Sequence, residues 1–406
     1  MPRRRTDADH LPRTNGLPAK ADETPPRSET NVHISRLTFV LPFAMLAAGC
    51  HDAGSTAAKV SPPPDRMTVA DGGSGPPVVL KTRSETRQFR SWSATCSNDG
   101  ACWAVGVAPE FEAGWIRIAL RGGADAAPDV RFGFWPDSDA EAPSTLSLTI
   151  DGATYPASRV TQDDASVGVI RAPVRQVIDA LAKAQSISIN GAGGQVLSAD
   201  GAAAAFLWID EKQGRLGTTM ALGRRGDRPA SGIPGPPAPP IVHIAPPIDQ
   251  AGLGDVDQQL PEALRRLPAV VSCIEDSSTP AVGDMVMSAR LDARTELWAV
   301  PCGAGAYNVT HHWYLTGLDG RDPRPVDLAG SSATEGHDNT TVNGAYDPRT
   351  RLLSAFAQGR GIGDCGVMQT WAWAGSGFVL TQERLMTHCA GMPADLWPVS
   401  WTSRTD

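Results

Sequence analysis

Between Pro229 and Pro247 eight of nineteen residues are proline. No helix interior or central strand can be built through such a run, because proline lacks the backbone N–H and fixes φ. An extended path close to polyproline II, at about 3.1 Å per residue, is what remains. The chain is thereby divided into a part before the run and a part after it. With 406 residues and a soft prior of ~150 per domain, two folded portions are expected. Their boundaries are set at residues 85–227 and 258–406, with residues 228–257 as a semi-rigid Pro-rich linker. Hydrophobic residues at 41% and charged residues at 20% give each portion enough apolar surface for a core.

Both portions read as mainly β within an α+β class. In the first, Trp115 to Leu120 (W-I-R-I-A-L) and Leu146 to Ile150 (L-S-L-T-I) alternate at period two, the mark of a half-buried strand. Asp151-Gly152 comes next as a hairpin turn. Val174, Val177, Ile178 and Leu181 recur at helical spacing after Pro173, which suits the first turn of a helix. Ala202 to Glu211 gives a second helix. An antiparallel sheet or sandwich carrying two helices is the expected result. The second portion opens with a short helix (P-E-A-L-R-R-L) and continues as an antiparallel meander. Its strands fall at Trp298 to Val300, Val342 to Tyr346, Leu352 to Phe356, Met368 to Trp373 and Phe378 to Glu383. No alternation of strand and helix calls for a parallel sheet.

The start of the chain bears on compartment. Leu37 to Ala48 is an apolar stretch of twelve residues, too short for a membrane span of ~20 but suited to the core of a signal peptide. It ends in L-A-A-G-C, which resembles the lipobox of bacterial lipoproteins, with Ala47 where a leucine is usual. Cys50 is then the lipidation site, and attachment to the membrane runs through its acyl chains. Residues 32–49 read as the signal peptide and residues 50–84 as lipid anchor and flexible tether. Residues 1–31 are polar and without apolar periodicity. They read as a disordered or non-native extension, translation starting instead at Val32. The expected location is the bacterial cell envelope, facing the periplasm.

Seven cysteines less Cys50 leave six, an even number that reads as disulfides in an oxidising compartment. The linker separates them into two and four, so Cys96–Cys102 pair. Three connectivities remain for the other four, and pairing of sequence neighbours, Cys273–Cys302 and Cys365–Cys389, closes the shorter loops. A metal site is not expected, since no C-x-x-C occurs and no histidine stands at ligand spacing in sequence beside these thiols.

The segment R-G-I-G-D-C-G places Gly361, Gly363 and Gly366 in the order of a dinucleotide fingerprint. The next residues, V-M-Q-T-W-A-W, are strand-like, where that fingerprint needs a helix. A tight turn between strands is expected, in which Arg360 and Asp364 either pair or hold a ligand. Trp371 and Trp373 share one face of a strand: open, they form a platform for sugar or peptide; covered, they are core. His311 and His312, adjacent on a strand, point to opposite faces. His337 and Asp338 could form an acid/base pair, with Asp364 as a third group. No nucleophile elbow accompanies them. No catalytic residue, metal or cofactor is assigned. The net charge of −8 speaks against a nucleic-acid partner.

Several of these runs together resemble one bacterial family, the "domain of unknown function 1176". They are F-R-S-W-S-A-T-C-S-N-D-G-A-C-W-A from Phe89, I-D-E-K-Q-G-R-L-G-T-T-M-A-L from Ile209, L-W-A-V-P-C-G-A-G-A-Y-N from Leu297, R-G-I-G-D-C-G from Arg360 and the W-P-V-S-W ending. The first portion is also similar to the invasion-associated locus B proteins. The resemblance implies an envelope location and no particular reaction. A binding or scaffolding lipoprotein without catalysis is the leading expectation, its partner an envelope protein or a glycan. A peptidoglycan-binding module or wall-hydrolase inhibitor using Trp371 and Trp373 is the second, and a hydrolase the third.

Overall fold

The computed structural model describes residues 83–109, 113–135, 145–162, 165–190, 195–250, 253–254, 258–276 and 285–406, all within one compact unit. The leader, Cys50 and most of the tether lie outside the described residues. Among the described residues no helix is long and apolar enough to cross a membrane.

The first portion is one antiparallel sheet. Its strands are β1 (Glu85–Phe89), β2 (Trp92–Cys96), β3 (Cys102–Val107), β4 (Trp115–Leu120), β5 (Asp129–Phe134), β6 (Leu146–Ile150), β7 (Ala153–Gln162), β8 (Ala165–Ile170), β9 (Ile187–Asn190) and β10 (Gln195–Leu197). They pair in the order β1-β2-β3-β4-β5-β8-β7-β6-β9-β10. Helices α1 (Val174–Leu181) and α2 (Ala202–Lys212) join this sheet in one core. Trp92, Ala104, Ile116, Ile118 and Phe132 meet Val177, Ile178, Phe206 and Ile209 there. Pro173 stands just ahead of α1 as its N-cap, one position earlier than its usual place.

Strand β3, C-W-A-V-G-V, is buried at every position, which means that both faces of the sheet are covered here. The second face holds Val105, Val107, Trp115 and Val167. They cluster with Met386, Met392, Leu396 and Trp397 from the far end of the chain. The two portions therefore share a core.

The Pro-rich segment is not a free spacer either. Pro236 packs on Gly122, where an added Cβ would come within 2.9 Å of the proline ring, and Pro234 packs on Gly214 in the same way. Beyond them β11 (Ile241–Val242) buries Val242, and Ala245 donates its backbone N–H to Trp373 O. The prolines lie in glycine-lined grooves, which is how a segment without N–H groups can still be held.

The second portion begins with α3 (Glu262–Arg265) and α4 (Pro268–Asp276). The sequence pattern marks only the first, because Pro268 looks like a stop when it is in fact a first-turn proline. Strands β12 (Met287–Arg290), β13 (Glu296–Ala304), β14 (Val309–Thr316) and β15 (Arg324–Pro325) form one meander. Then come the short pieces β16 (Leu328–Ala329), β17 (His337–Asp338) and β18 (Thr340–Val342), the last added to β14. A second meander runs through β19 (Ala345–Asp347), β20 (Leu352–Gln358), β21 (Gly366–Trp373), β22 (Phe378–Met386) and β23 (Val399–Thr402). The final strand, β24 (Arg404–Thr405), pairs with β11 in parallel. The two meanders enclose Leu297, Trp313, Leu315, Leu353, Trp371 and Trp373.

Candidate functional site

Three disulfides join Cys96–Cys102, Cys273–Cys302 and Cys365–Cys389, the sequence-near connectivity. The tryptophan platform is corrected. Trp371 and Trp373 are only 2% and 1% exposed, and the Trp371 indole N–H donates to Ala329 O at 2.8 Å. Both rings do share a face of β21, as period two requires, but that face is closed by the other meander.

Arg360 and Asp364 pair across their turn. The guanidinium donates twice to the carboxylate, Nε at 2.7 Å and an Nη at 2.5 Å, and this hydrogen bonding holds Arg360 above its ordinary pKa. Asp364, wholly buried, also accepts from Gly391 N at 2.6 Å. Gly391 is in turn gripped from the first sheet: its carbonyl accepts from Trp115 Nε1 at 3.0 Å, and Ala390 O accepts from Gly114 N at 3.0 Å. One carboxylate thus ties the glycine turn to the loop that seats the second portion on the first. The glycines are used as a turn, not as a phosphate cradle. Gly366 has φ +133°, and a Cβ there would lie 1.9 Å from Ala357 O, a position no other residue can occupy without moving the strand.

The same turn meets the 303–308 loop to form the most distinctive exposed surface. The Tyr307 ring lies against Gly361 and its hydroxyl donates to Gly359 O at 3.4 Å. Tyr307 is 44% and Ile362 53% exposed. Asn343 fixes the pair of loops from behind. Its amide donates to Tyr307 O, Asn308 Oδ1 and Phe356 O within 2.9–3.2 Å, while its Oδ1 accepts from Val309 N at 2.8 Å. Large apolar side chains held outward on hydrogen-bonded loops are what a binding anchor needs, since little side-chain or loop entropy remains to be lost.

The histidines separate as adjacent strand positions should. His311 is buried, and burial pushes its pKa down. His312 faces the other way and brings Nδ1 to 3.4 Å from Cys273 Sγ. No histidine stands at ligand spacing beside these thiols in sequence, but α4 and β14 bring His312 to Cys273 across 39 residues. His337 and Asp327, both exposed, pair at 3.3 Å, whereas Asp364 is buried against Arg360. His337, Asp338 and Asp364 do not converge on one cleft.

Two further features have no sequence signal. A cavity of about 170 Å³ opens beside Leu253, Met287, Leu297, Trp313 and Tyr346. Burial pushes the Tyr346 phenol up to about 12. On β22, Glu383 is wholly buried and accepts five hydrogen bonds: from Ser331 N and Oγ, Thr334 Oγ1, Gln369 Nε2 and Ser400 Oγ. Ser400 O in turn accepts from Ser84 Oγ, at the beginning of the described chain. This is a closed polar centre that shapes the 331–334 loop.

Comparison with known proteins bears on what this surface belongs to. The family described as "Protein of unknown function (DUF1176)" matches residues 86–404, which takes in the shared core, both glycine loops and all three disulfides. The chain belongs to this DUF1176 family. An Escherichia coli K12 relative, "Uncharacterized protein YpfG", is 25% identical over 340 residues, spanning 78% of this chain and 93% of the relative. The crystal structure of invasion associated protein b from Bartonella henselae aligns with 32% of this chain and 98% of its own length, at 12% identity and a TM-score of 0.25. The DUF1176 match runs without a break through the Pro-rich segment, in keeping with the docked position of those prolines.

Proposed function

We propose that this DUF1176 protein is an exported envelope lipoprotein, anchored through Cys50 and facing the periplasm, whose folded body binds or scaffolds a partner protein. The observation that carries the binding role is the outward presentation of Tyr307 and Ile362 on loops fixed by Asn343 and by the Arg360–Asp364 pair. Tyrosine and arginine are among the residues enriched in interface hot spots, and Tyr307 and Arg360 are both presented here. Three disulfides in the described residues support export, because such bonds persist in oxidising compartments. The glycan-binding alternative drew on the Trp371 and Trp373 platform, and with both indoles in the core it loses its main support. The hydrolase alternative loses its convergent groups.

A photo-crosslinking amino acid at position 307 or 362, introduced in the full chain in cells, tests this role. A discrete adduct with one envelope protein is expected from both positions. Val379, 42% exposed on β22, serves as the control and should give none. Absence of an adduct at 307 and 362, or the same ladder of adducts from all three positions, would overturn the binding surface. Retention on purified peptidoglycan without any protein adduct would favour the glycan alternative instead.

A further inference from the structure

The Cys273–Cys302 bond differs from the other two disulfides in its surroundings. Cys96 and Cys102 are both buried at 1% exposure, out of reach of an attacking thiol. In the second and third bonds one cysteine is buried and the other only partly buried: Cys273 with Cys302, and Cys365 with Cys389. These two are matched in access but opposed in chemistry. Beside Cys365 lies the carboxyl group of Asp364, already committed to Arg360 and Gly391. Beside Cys273 lies His312, Nδ1 to Sγ 3.4 Å. The helix α4 that carries Cys273 and the strand β14 that carries His312 both pack on β13, where Cys302 opens the bulge between Pro301 and Ala304.

We infer that Cys273–Cys302 is a thiol–disulfide exchange site, in which His312 handles the proton of the leaving sulfur and the substrate is a thiol or dithiol of an external protein or small molecule. A thiolate attacks Sγ of the partly buried Cys302, forming a mixed disulfide and breaking the Cys273–Cys302 bond. The electron pair leaves on Cys273 Sγ, which takes a proton from His312 Nδ1 as imidazolium becomes imidazole. A second thiolate of the donor attacks the mixed disulfide and releases Cys302 as thiolate. The protein has then gained two electrons and the donor has become a disulfide. In the reverse direction neutral His312 removes the Cys273 proton and restores the nucleophile. Leaving groups of low pKa depart faster, and a cationic neighbour lowers a thiol's pKa.

Burial lowers the pKa of His312, and Asp338 on β17 opposes that shift. The titratable groups facing the ring are thus Cys273 from α4, Cys302 from β13 and Asp338, with His311 turned away on the same strand. Assistance by the imidazolium should fade as pH rises through the depressed pKa and the ring loses its proton.

The test uses the folded full chain and reduced glutathione as the probe, with rates expressed per glutathione thiolate. Mass-resolved alkylation reports each disulfide separately, so the other two serve as controls within the same molecule. Cys273–Cys302 is expected to open about tenfold or more faster than Cys365–Cys389, before any loss of secondary structure. His312→Gln should remove most of that advantage at pH 5, leave little difference at pH 8.5, and not alter opening of Cys365–Cys389. Equal opening of the matched pair in the unmodified protein would overturn the inference without recourse to a variant. So would opening of all three bonds only on global unfolding, or a well-folded His312→Gln protein with an unchanged rate at pH 5.

Discussion

Replacing Glu383 by Ala is expected to cost roughly 3 kcal/mol of stability or more, because five donors lose their acceptor inside a closed centre. For a single folded unit of roughly 320 residues this corresponds to a fall in thermal midpoint of about 4–5 °C. The size of the effect comes from what is stranded, not from what is deleted. Ser331 N, Gln369 Nε2 and the hydroxyls of Ser331, Thr334 and Ser400 turn inward because the Glu383 side chain is there, and the donors on Ser331 and Ser400 are themselves buried. Glu383→Gln keeps the shape and one carbonyl acceptor, so about half the loss is expected. Chemical denaturation of the three proteins provides the check. A Glu383→Ala variant within about 1 kcal/mol of the parent would mean that the 331–334 loop finds another arrangement.

Asp364→Ala should come next, at about 2–3 kcal/mol. The half-exposed Arg360 can turn to solvent once its partner is gone, which keeps the cost below that of stranding a buried cation. Gly391 N–H cannot do so, and its loop is the one gripped by Trp115 and Gly114. Asp364→Asn retains an acceptor for Gly391 and should lose only about 1 kcal/mol. Since Val105, Val107 and Trp115 share a core with Met386, Met392 and Trp397, the loss is expected in a single calorimetric transition of the whole folded unit. Two transitions, of which only one moves, would show that the portions melt independently and that the shared cluster contributes little.

Much of the fold is legible because its signals are local. Alternation in W-I-R-I-A-L and L-S-L-T-I, helical spacing after Pro173 and the glycine turn ahead of β21 each depend on a handful of neighbouring residues. The docked prolines are not legible: proline dictates an extended path but not whether glycine-lined grooves await it. The shared core does leave a trace in A-C-W-A-V-G-V, which lacks the polar half of a one-sided strand. Period two puts Trp371 and Trp373 on one face, yet which face a second sheet covers is decided by residues as distant as Leu297 and Trp313. The meeting of His312 with Cys273 depends on the packing of α4, whose opening Pro268 looks like a break. Glu383 gives no sign at all, since a carboxylate at an inward strand position reads as an exception until its donors are seen.

The proposed anchoring and export of this DUF1176 protein are open to one direct measurement: the intact mass of the full chain recovered from bacterial membranes by detergent. The expected result is a polypeptide from Cys50 to Asp406, 357 residues, carrying the added mass of acyl chains on Cys50 and of three disulfides' worth of missing hydrogens. Cys50→Ala should release the chain from the membrane fraction. A recovered chain that retains the residues before Cys50, begins at an unacylated residue elsewhere, or stays on the membrane when Cys50 is replaced would contradict it.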